Sequence, residues 1–278
     1  MSKVWMITGS NRGLGRAFAR EAASRGENVV ACARHVDPAN SFYDQPNVLG
    51  VALDVTNVDQ IKAAVVTALE HFGRIDVLVN NAGFGMSGAF EEATNQELRN
   101  LFDTDYFGLV NVTKAVLPTM RAQHSGMILN ISSQGGLMSA SGSSAYNSAK
   151  FAVVGLSCSL AAELQQFGIQ VSAVCPGSFR TDFRDPSSMH HPAANLDAYN
   201  GSSAHAAAHF LAENNHMQQG DPVRAAKFVA DVVESGKLPK RLLIGKTCCA
   251  QVLDDLADQI KEIVSYQDAS SQTDFPSE

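Results

Sequence analysis

The stretch VWMITGSNRGLG, Val4 to Gly15, decides the fold. Val4–Ile7 is a continuous apolar run, the pattern of a strand buried on both faces. TGSNRGLG follows, and from Gly13 to Arg25 the spacing predicts a helix. Glycines in a strand-to-helix turn let the backbone bend tightly. They also let it approach a pyrophosphate at the helix N-terminus, where free N–H groups and the dipole favour anions. The spacing is T-G-x-x-x-G-x-G, not the G-x-G-x-x-G of the usual dinucleotide fingerprint. Alone it would be only a tight turn; its place after the first strand gives it weight.

The rest of the chain repeats the alternation. Further β-rich runs lie at Asn28–Ala33, Val48–Val55, Ile75–Val79, Met127–Ile131, Ile169–Cys175 and Arg241–Ile244. Helical patterns lie between them at Val58–His71, Asn95–Gln123, Ala145–Phe167 and Pro222–Glu234, with another at Ala250–Val264. Thr94 with Glu97 has capping-box spacing, and Asp221 before Pro222 reads as an N-cap. Strands and helices alternating this often imply an α/β fold with a parallel sheet and right-handed crossovers. No linker divides the chain, so one domain is expected over residues 1–264. The last stretch, Ser265–Glu278, is polar and expected to fray.

Composition narrows the function. The 278 residues are 45% hydrophobic and 18% charged, which suits a globular core, and the net charge is −7. That charge argues against nucleic-acid and anionic-membrane surfaces. The first strand-like run starts almost at the N-terminus, and no apolar run is long enough to span a bilayer. Cys32, Cys158, Cys175, Cys248 and Cys249 form no C-x-x-C and read as free thiols of a reducing, cytoplasmic setting.

The second strand run ends Ala31-Cys32-Ala33-Arg34. An NAD site places a carboxylate there to accept from the ribose 2′-OH; this chain has an arginine instead. Arg12 lies within the phosphate loop. Two guanidinium groups near the adenosine ribose suit a 2′-phosphate, so the cofactor expected is NADP(H). Two merely solvated arginines are the other reading. Tyr146 and Lys150, in AYNSAK, stand four apart and share one face of a helix. A Lys⁺ beside a phenol favours its ionised form, which brings it toward acid–base work near neutrality.

With TGSNRGLG, NNAG at Asn80–Gly83, ISS at Ile131–Ser133, YNSAK and PG at Pro176–Gly177, the chain resembles the short-chain dehydrogenase/reductase family. The order and spacing match over roughly the first two-thirds. The resemblance implies one Rossmann-like, doubly wound domain with a seven-stranded parallel sheet flanked by helices. It implies Tyr146 as general acid/base, Lys150 lowering its pKa, and Ser133 holding the substrate oxygen. It assigns cofactor contacts to Gly9, Arg12, Gly13, Leu14, Gly15, Arg34, Asp54, Val55, Asn81, Ala82, Gly83, Pro176, Gly177 and Thr181, besides Tyr146 and Lys150. It also implies a homodimer or homotetramer, with the small-residue helix after Tyr146 at the interface.

One position departs from the family. Its usual N-x-x-G reads DTDYFG here, so Asp105 stands where an asparagine supports a proton relay. An ionised aspartate cannot donate, and its charge would act on Lys150. A tolerated isostere and an altered relay both stay open. Asp182–Gly220, holding His190, His191, His205 and His209, is the expected substrate lid. Phe179, Phe183, Met189, Tyr199 and Phe210 could form one apolar wall; Phe84, Met86, Leu137 and Met138 the other. Glu91–Glu92 reads as an exposed acidic pair. No metal site is expected. The function expected is hydride transfer between NADP(H) and a small carbonyl or alcohol substrate. A ketoacyl-carrier-protein reductase and a non-catalytic NADP(H)-binding sensor or scaffold are the alternatives.

Overall fold

All five residues of β1 (Val4–Thr8) are buried in the computed structural model, which describes residues 2–275. Val4 and Met6 face one core, Trp5 and Ile7 the other, because successive strand side chains point to opposite faces. The chain continues through α1 (Gly13–Ser24), β2 (Asn28–Ala33), β3 (Val48–Ala52), α2 (Val58–Phe72) and β4 (Val77–Asn80). Then come a two-residue strand β5 (Gly85–Met86), α3 (Asn95–Phe102), α4 (Leu109–Gln123), β6 (Gly126–Ile131), α5 (Ser144–Glu163) and β7 (Ile169–Pro176). A second short strand β8 (Met189–His190), α6 (Ser203–Glu213), α7 (Pro222–Glu234), β9 (Arg241–Ile244) and α8 (Lys246–Ser271) complete it.

Seven strands form one parallel sheet in the order β3-β2-β1-β4-β6-β7-β9. The winding direction reverses between β1 and β4. That switch point opens a crevice at the carboxyl ends of both strands, where open α/β sheets bind ligands. Helices α1 and α7 cover one face through Phe18, Ala22, Ala226 and Val229. Helices α2 and α4 cover the other through Ile61, Ala64, Val112 and Val116. The capping box of Thr94 and Glu97 and the Asp221 cap of α7 both form.

The structure corrects the sequence reading at three places. The helix expected over Asn95–Gln123 is broken at Asp103–Gly108 by a wide π-type turn. A β-carbon on Gly108 would come within 2.6 Å of Val55, so glycine permits the close pass. β3 stops at Ala52 because the Asp54 carboxylate turns the chain, accepting from the Thr56 amide at 2.9 Å and its hydroxyl at 2.7 Å. Residues 182–220, expected as a lid, hold β8 and α6, and β8 pairs with β5. The tail does not fray at Ser265, since α8 runs to Ser271. Pro276–Glu278, its end, lies outside the described residues. No helix among the described residues is long and apolar enough to cross a membrane.

Candidate active site

The turn after β1 is built for close approach. Gly9 and Gly13 have φ of 66° and 55°, the left-handed region that glycine enters freely. A β-carbon on Gly15 would sit 2.3 Å from the Gly9 carbonyl oxygen and from Asn81 Nδ2. Asn81 pins this turn: its Nδ2 donates to the carbonyls of Thr8 at 3.0 Å and Gly9 at 3.1 Å. The Thr8 hydroxyl accepts from the amides of Asn81 and Ala82. Helix α1 begins at Gly13 with no side-chain cap and no acid in its first turn. Its free N–H groups are therefore available to an anion. Leu14 packs against the core, and Gly13 faces Thr181 across the crevice, with 3.6 Å between an added β-carbon and Thr181 Cβ.

The two arginines are placed differently from each other. Arg34 is exposed directly after β2, with no ion-pair partner among the described residues. Arg12 instead reaches the segment after β7, donating to the Ser187 hydroxyl at 2.7 Å and its carbonyl at 3.1 Å. Its partner is 175 residues away, so no local spacing signalled it.

Beside the turn stands a buried charge pair. Lys150 Nζ lies 3.0 Å from Asp105 Oδ2, and the two side chains are 6% and 0% exposed. The same Nζ donates to the Ile131 carbonyl at 3.2 Å. The Phe84 amide donates to the other carboxylate oxygen of Asp105 at 3.0 Å. The π-type turn is what carries Asp105 inward, and Gly83 leaves room for it: a β-carbon there would meet Oδ2 at 2.9 Å. Lys150 Nζ stands 5.6 Å from the Tyr146 ring centre. The Ser133 hydroxyl accepts from the Gly135 amide at 3.1 Å and lies close enough to the Tyr146 phenol to favour its ionised form.

Burial pushes the Tyr146 phenol above its ordinary value. Lys150 and Ser133 pull it down and Asp105 pushes it up, yet burial prevails. The expectation that Lys150 brings the phenol below its ordinary value is thus half met: the pull exists and is outweighed. Burial also works against the Lys150 charge, but Asp105 and Tyr146 together raise its pKa. Burial raises the Asp105 carboxyl, opposed by Lys150 and the Phe84 amide.

Other expected contacts have roles in the fold itself. A β-carbon on Gly177 would come 2.8 Å from Cys248 Cβ, so this glycine seats α8, and Pro176 ends β7 in the pairing with Ile244. Val55 packs in the core against Gly108. Phe84, Met86 and Met189 line one hollow together with His190 and His191. Phe183 stands 6.0 Å from the Tyr146 ring, centre to centre. Phe179 turns into the core, Leu137 packs with Val154 and Leu243, Tyr199 bonds Glu91, and Phe210 is 59% exposed, so these four build no wall. Met138 accepts from Gln134 through its sulfur. Glu92 is buried, not exposed: it accepts from the Leu196 and Ala89 amides and pairs with His205 at 2.8 Å. His191 bonds the Ser87 carbonyl and His190 stacks on Phe84. Burial pushes the Cys32 and Cys175 thiols up to about 12, so these act as packing groups.

A doubly wound seven-stranded sheet thus carries a glycine turn at its switch point, with Ser133, Tyr146 and Lys150 gathered beside it. A sequence model of the short chain dehydrogenase family matches residues 3–191, and the chain belongs to that family. It is 38% identical to an oxidoreductase of Botryotinia fuckeliana over 271 residues, 96% of each chain. It resembles a short-chain dehydrogenase from Streptomyces avermitilis with a TM-score of 0.91 and 36% identity, covering 99% of this chain and 100% of that one. A Burkholderia phymatum short chain dehydrogenase/reductase, solved in complex with NAD, gives 0.79 and 28%, covering 93% and 95%.

Proposed function

We infer that the chain is an NADP(H)-dependent carbonyl reductase or alcohol dehydrogenase. The observation that carries this reading is the convergence of Tyr146, Ser133 and the Lys150 ammonium at the switch-point crevice. The crevice fits a dinucleotide: Gly9, Gly13 and Gly15 leave the turn's backbone open to close approach, its helix start is uncapped, and Thr181 faces it from the far side. Gly9, Gly13, Leu14, Gly15, Asp54, Asn81, Ala82, Gly83 and Thr181 would hold the cofactor. The nicotinamide, when bound, supplies or accepts the hydride.

The chain's own residues supply the rest. A phenol held above its ordinary value is protonated near neutrality, which suits donation to a carbonyl oxygen as negative charge builds there. The Ser133 hydroxyl holds the same oxygen. The Lys150 charge stabilises the phenolate left behind, and Asp105 keeps that lysine charged. In the reverse direction the phenolate takes the proton from an alcohol. Phe84, Met86 and Met189 offer an apolar surface beside the site, which suits a fairly apolar substrate.

Arg34 is the primary candidate for a 2′-phosphate, since it stands free where an NAD site would carry an acid. Arg12 would have to exchange Ser187 for the phosphate. Fluorescence titration of NADPH and NADH tests the cofactor choice. NADPH is expected to bind tighter, and Arg34→Ala to weaken NADPH by about tenfold or more while sparing NADH. Tighter NADH binding by the native chain would overturn it. Turnover of NADPH against aldehydes, ketones, quinones and β-ketoacyl thioesters then identifies the substrate class.

A further inference from the structure

The last helix carries an apolar face that its own chain leaves uncovered. α8 is anchored at its base, where Cys248 and Val252 are buried and Gln251 bonds Gln134 at 2.6 Å. Beyond Val252 no residue of the helix is buried. Yet Leu253, Leu256, Ile260, Ile263 and Val264 lie there, each between 45% and 65% exposed. Positions 253, 256, 260 and 263 repeat by three and four, the a and d sites of a heptad. In that register Asp254, Asp255, Asp258, Lys261, Glu262 and Asp268 all fall on b, c and f, away from the seam. The flanking e and g sites are uncharged: Ala257 and Val264, Gln259 and Tyr266. A projecting helix gains little from propensity alone; packing of its apolar face is what stabilises it.

We propose that this face is covered by a second copy of the chain, α8 pairing antiparallel with α8 about a twofold axis near Asp258. The pattern is self-complementary about that point. Leu253 meets Ile263 and Leu256 meets Ile260, so the four central layers are apolar on apolar and the patch is self-complementary, as an isologous contact requires. Between Leu253 and Tyr266 no charge lies on a, d, e or g, so the pairing sets no like charges against each other there; Lys246, on a, lies at the anchored base opposite Ser270. Antiparallel helix dipoles also oppose favourably. Together with Tyr266, which is 51% exposed, these side chains offer roughly 600 Å² per copy, about 1,200 Å² in all when fully covered, the low end of specific interfaces. A membrane surface fits less well. The outer face holds five carboxylates against Lys261, where interfacial helices carry basic residues for anionic lipid.

Sedimentation equilibrium of the full chain tests the pairing. The native chain is expected to be an even-numbered assembly, and Leu256→Asp with Ile260→Asp to halve its mass. Both sites are exposed, so retained far-UV and near-UV circular dichroism would certify the variant's fold. A monomeric native chain, or a folded variant of unchanged mass, would overturn the proposal. The register is read separately with a short bis-maleimide. Ala257→Cys, close to the axis, should cross-link to its mate above the native background, and Ser265→Cys, on the outer face, should not. The opposite pattern would overturn the antiparallel arrangement.

Discussion

Lys150 is held by groups of three kinds: the Asp105 carboxylate, the Ile131 carbonyl and the Tyr146 ring. The carboxylate is the unusual member. Its charge raises both the phenol and the ammonium. Asp105→Asn keeps an oxygen for the Phe84 amide and removes the charge. Without it the Tyr146 phenolate costs less to form and the Lys150 ammonium more. The expected outcome is a pH profile of kcat/KM for alcohol oxidation displaced to lower pH, since the base form is then reached sooner. An unmoved profile would mean that the carboxylate is not coupled to the proton transfer. Tyr146 and Lys150 could be set on one helix face from their spacing of four, and Ser133 joined them only through the family resemblance. The Ile131 carbonyl and the Phe84 amide were not legible in the sequence, because every residue carries such groups and only the fold aims them.

Elements show the same division. The glycine turn could be read as a phosphate loop, but the reason for Gly15 is seen only in three dimensions. Gly15→Ala would drive a methyl into the Gly9 carbonyl and the Asn81 amide at 2.3 Å. Overpacking of that kind costs about 1–3 kcal/mol, and with it the turn that receives the cofactor. Thermal melts with and without NADPH should show a lowered midpoint and a lost ligand shift; a native-like shift would contradict the close-approach account. The segment 182–220 is tied down by Glu92, whose carboxyl is held below its ordinary value first by the Leu196 amide and also by His205 and the Ala89 amide, against burial. A depressed folded-state pKa means that this tie is complete above the ordinary glutamate value. It is lost as pH falls through the lower, folded-state one. Glu92→Gln should therefore speed proteolysis within residues 182–220 at neutral pH, and acid should speed it in the native chain. Equal cleavage of both chains at neutral pH would show that Glu92 does not restrain this segment. Glu92 and His205 are 113 residues apart, which is why the sequence made the glutamate look exposed. The π-type turn was missed for a related reason: DTDYFG has ordinary helical spacing, and only the contact of Gly108 with Val55 shows the need for a wider turn.

The whole molecule follows from runs that are apolar without alternation. Ile128 and Leu129 are neighbours on β6 and belong to opposite cores, both fully buried. Replacing either by alanine should cost about 2–5 kcal/mol in denaturant unfolding, because each leaves a cavity under a different helical layer. A cost below 1 kcal/mol at either site would mean that its layer collapses to fill the gap. Strand positions were largely readable, since a sheet covered on both faces leaves so strong a pattern. The length of α8 was not, because its polar outer face reads like a tail when its apolar stripe has no partner in the chain. Above these layers stands one chemical claim, that Tyr146 moves the proton. The measurement that tests it most directly compares native chain and Tyr146→Phe for NADPH-dependent turnover of the best carbonyl substrate, with NADPH affinity determined for both. The account predicts a fall of about 10²–10⁴-fold in kcat with NADPH binding retained. A variant that binds NADPH and turns over at close to the native rate would contradict it.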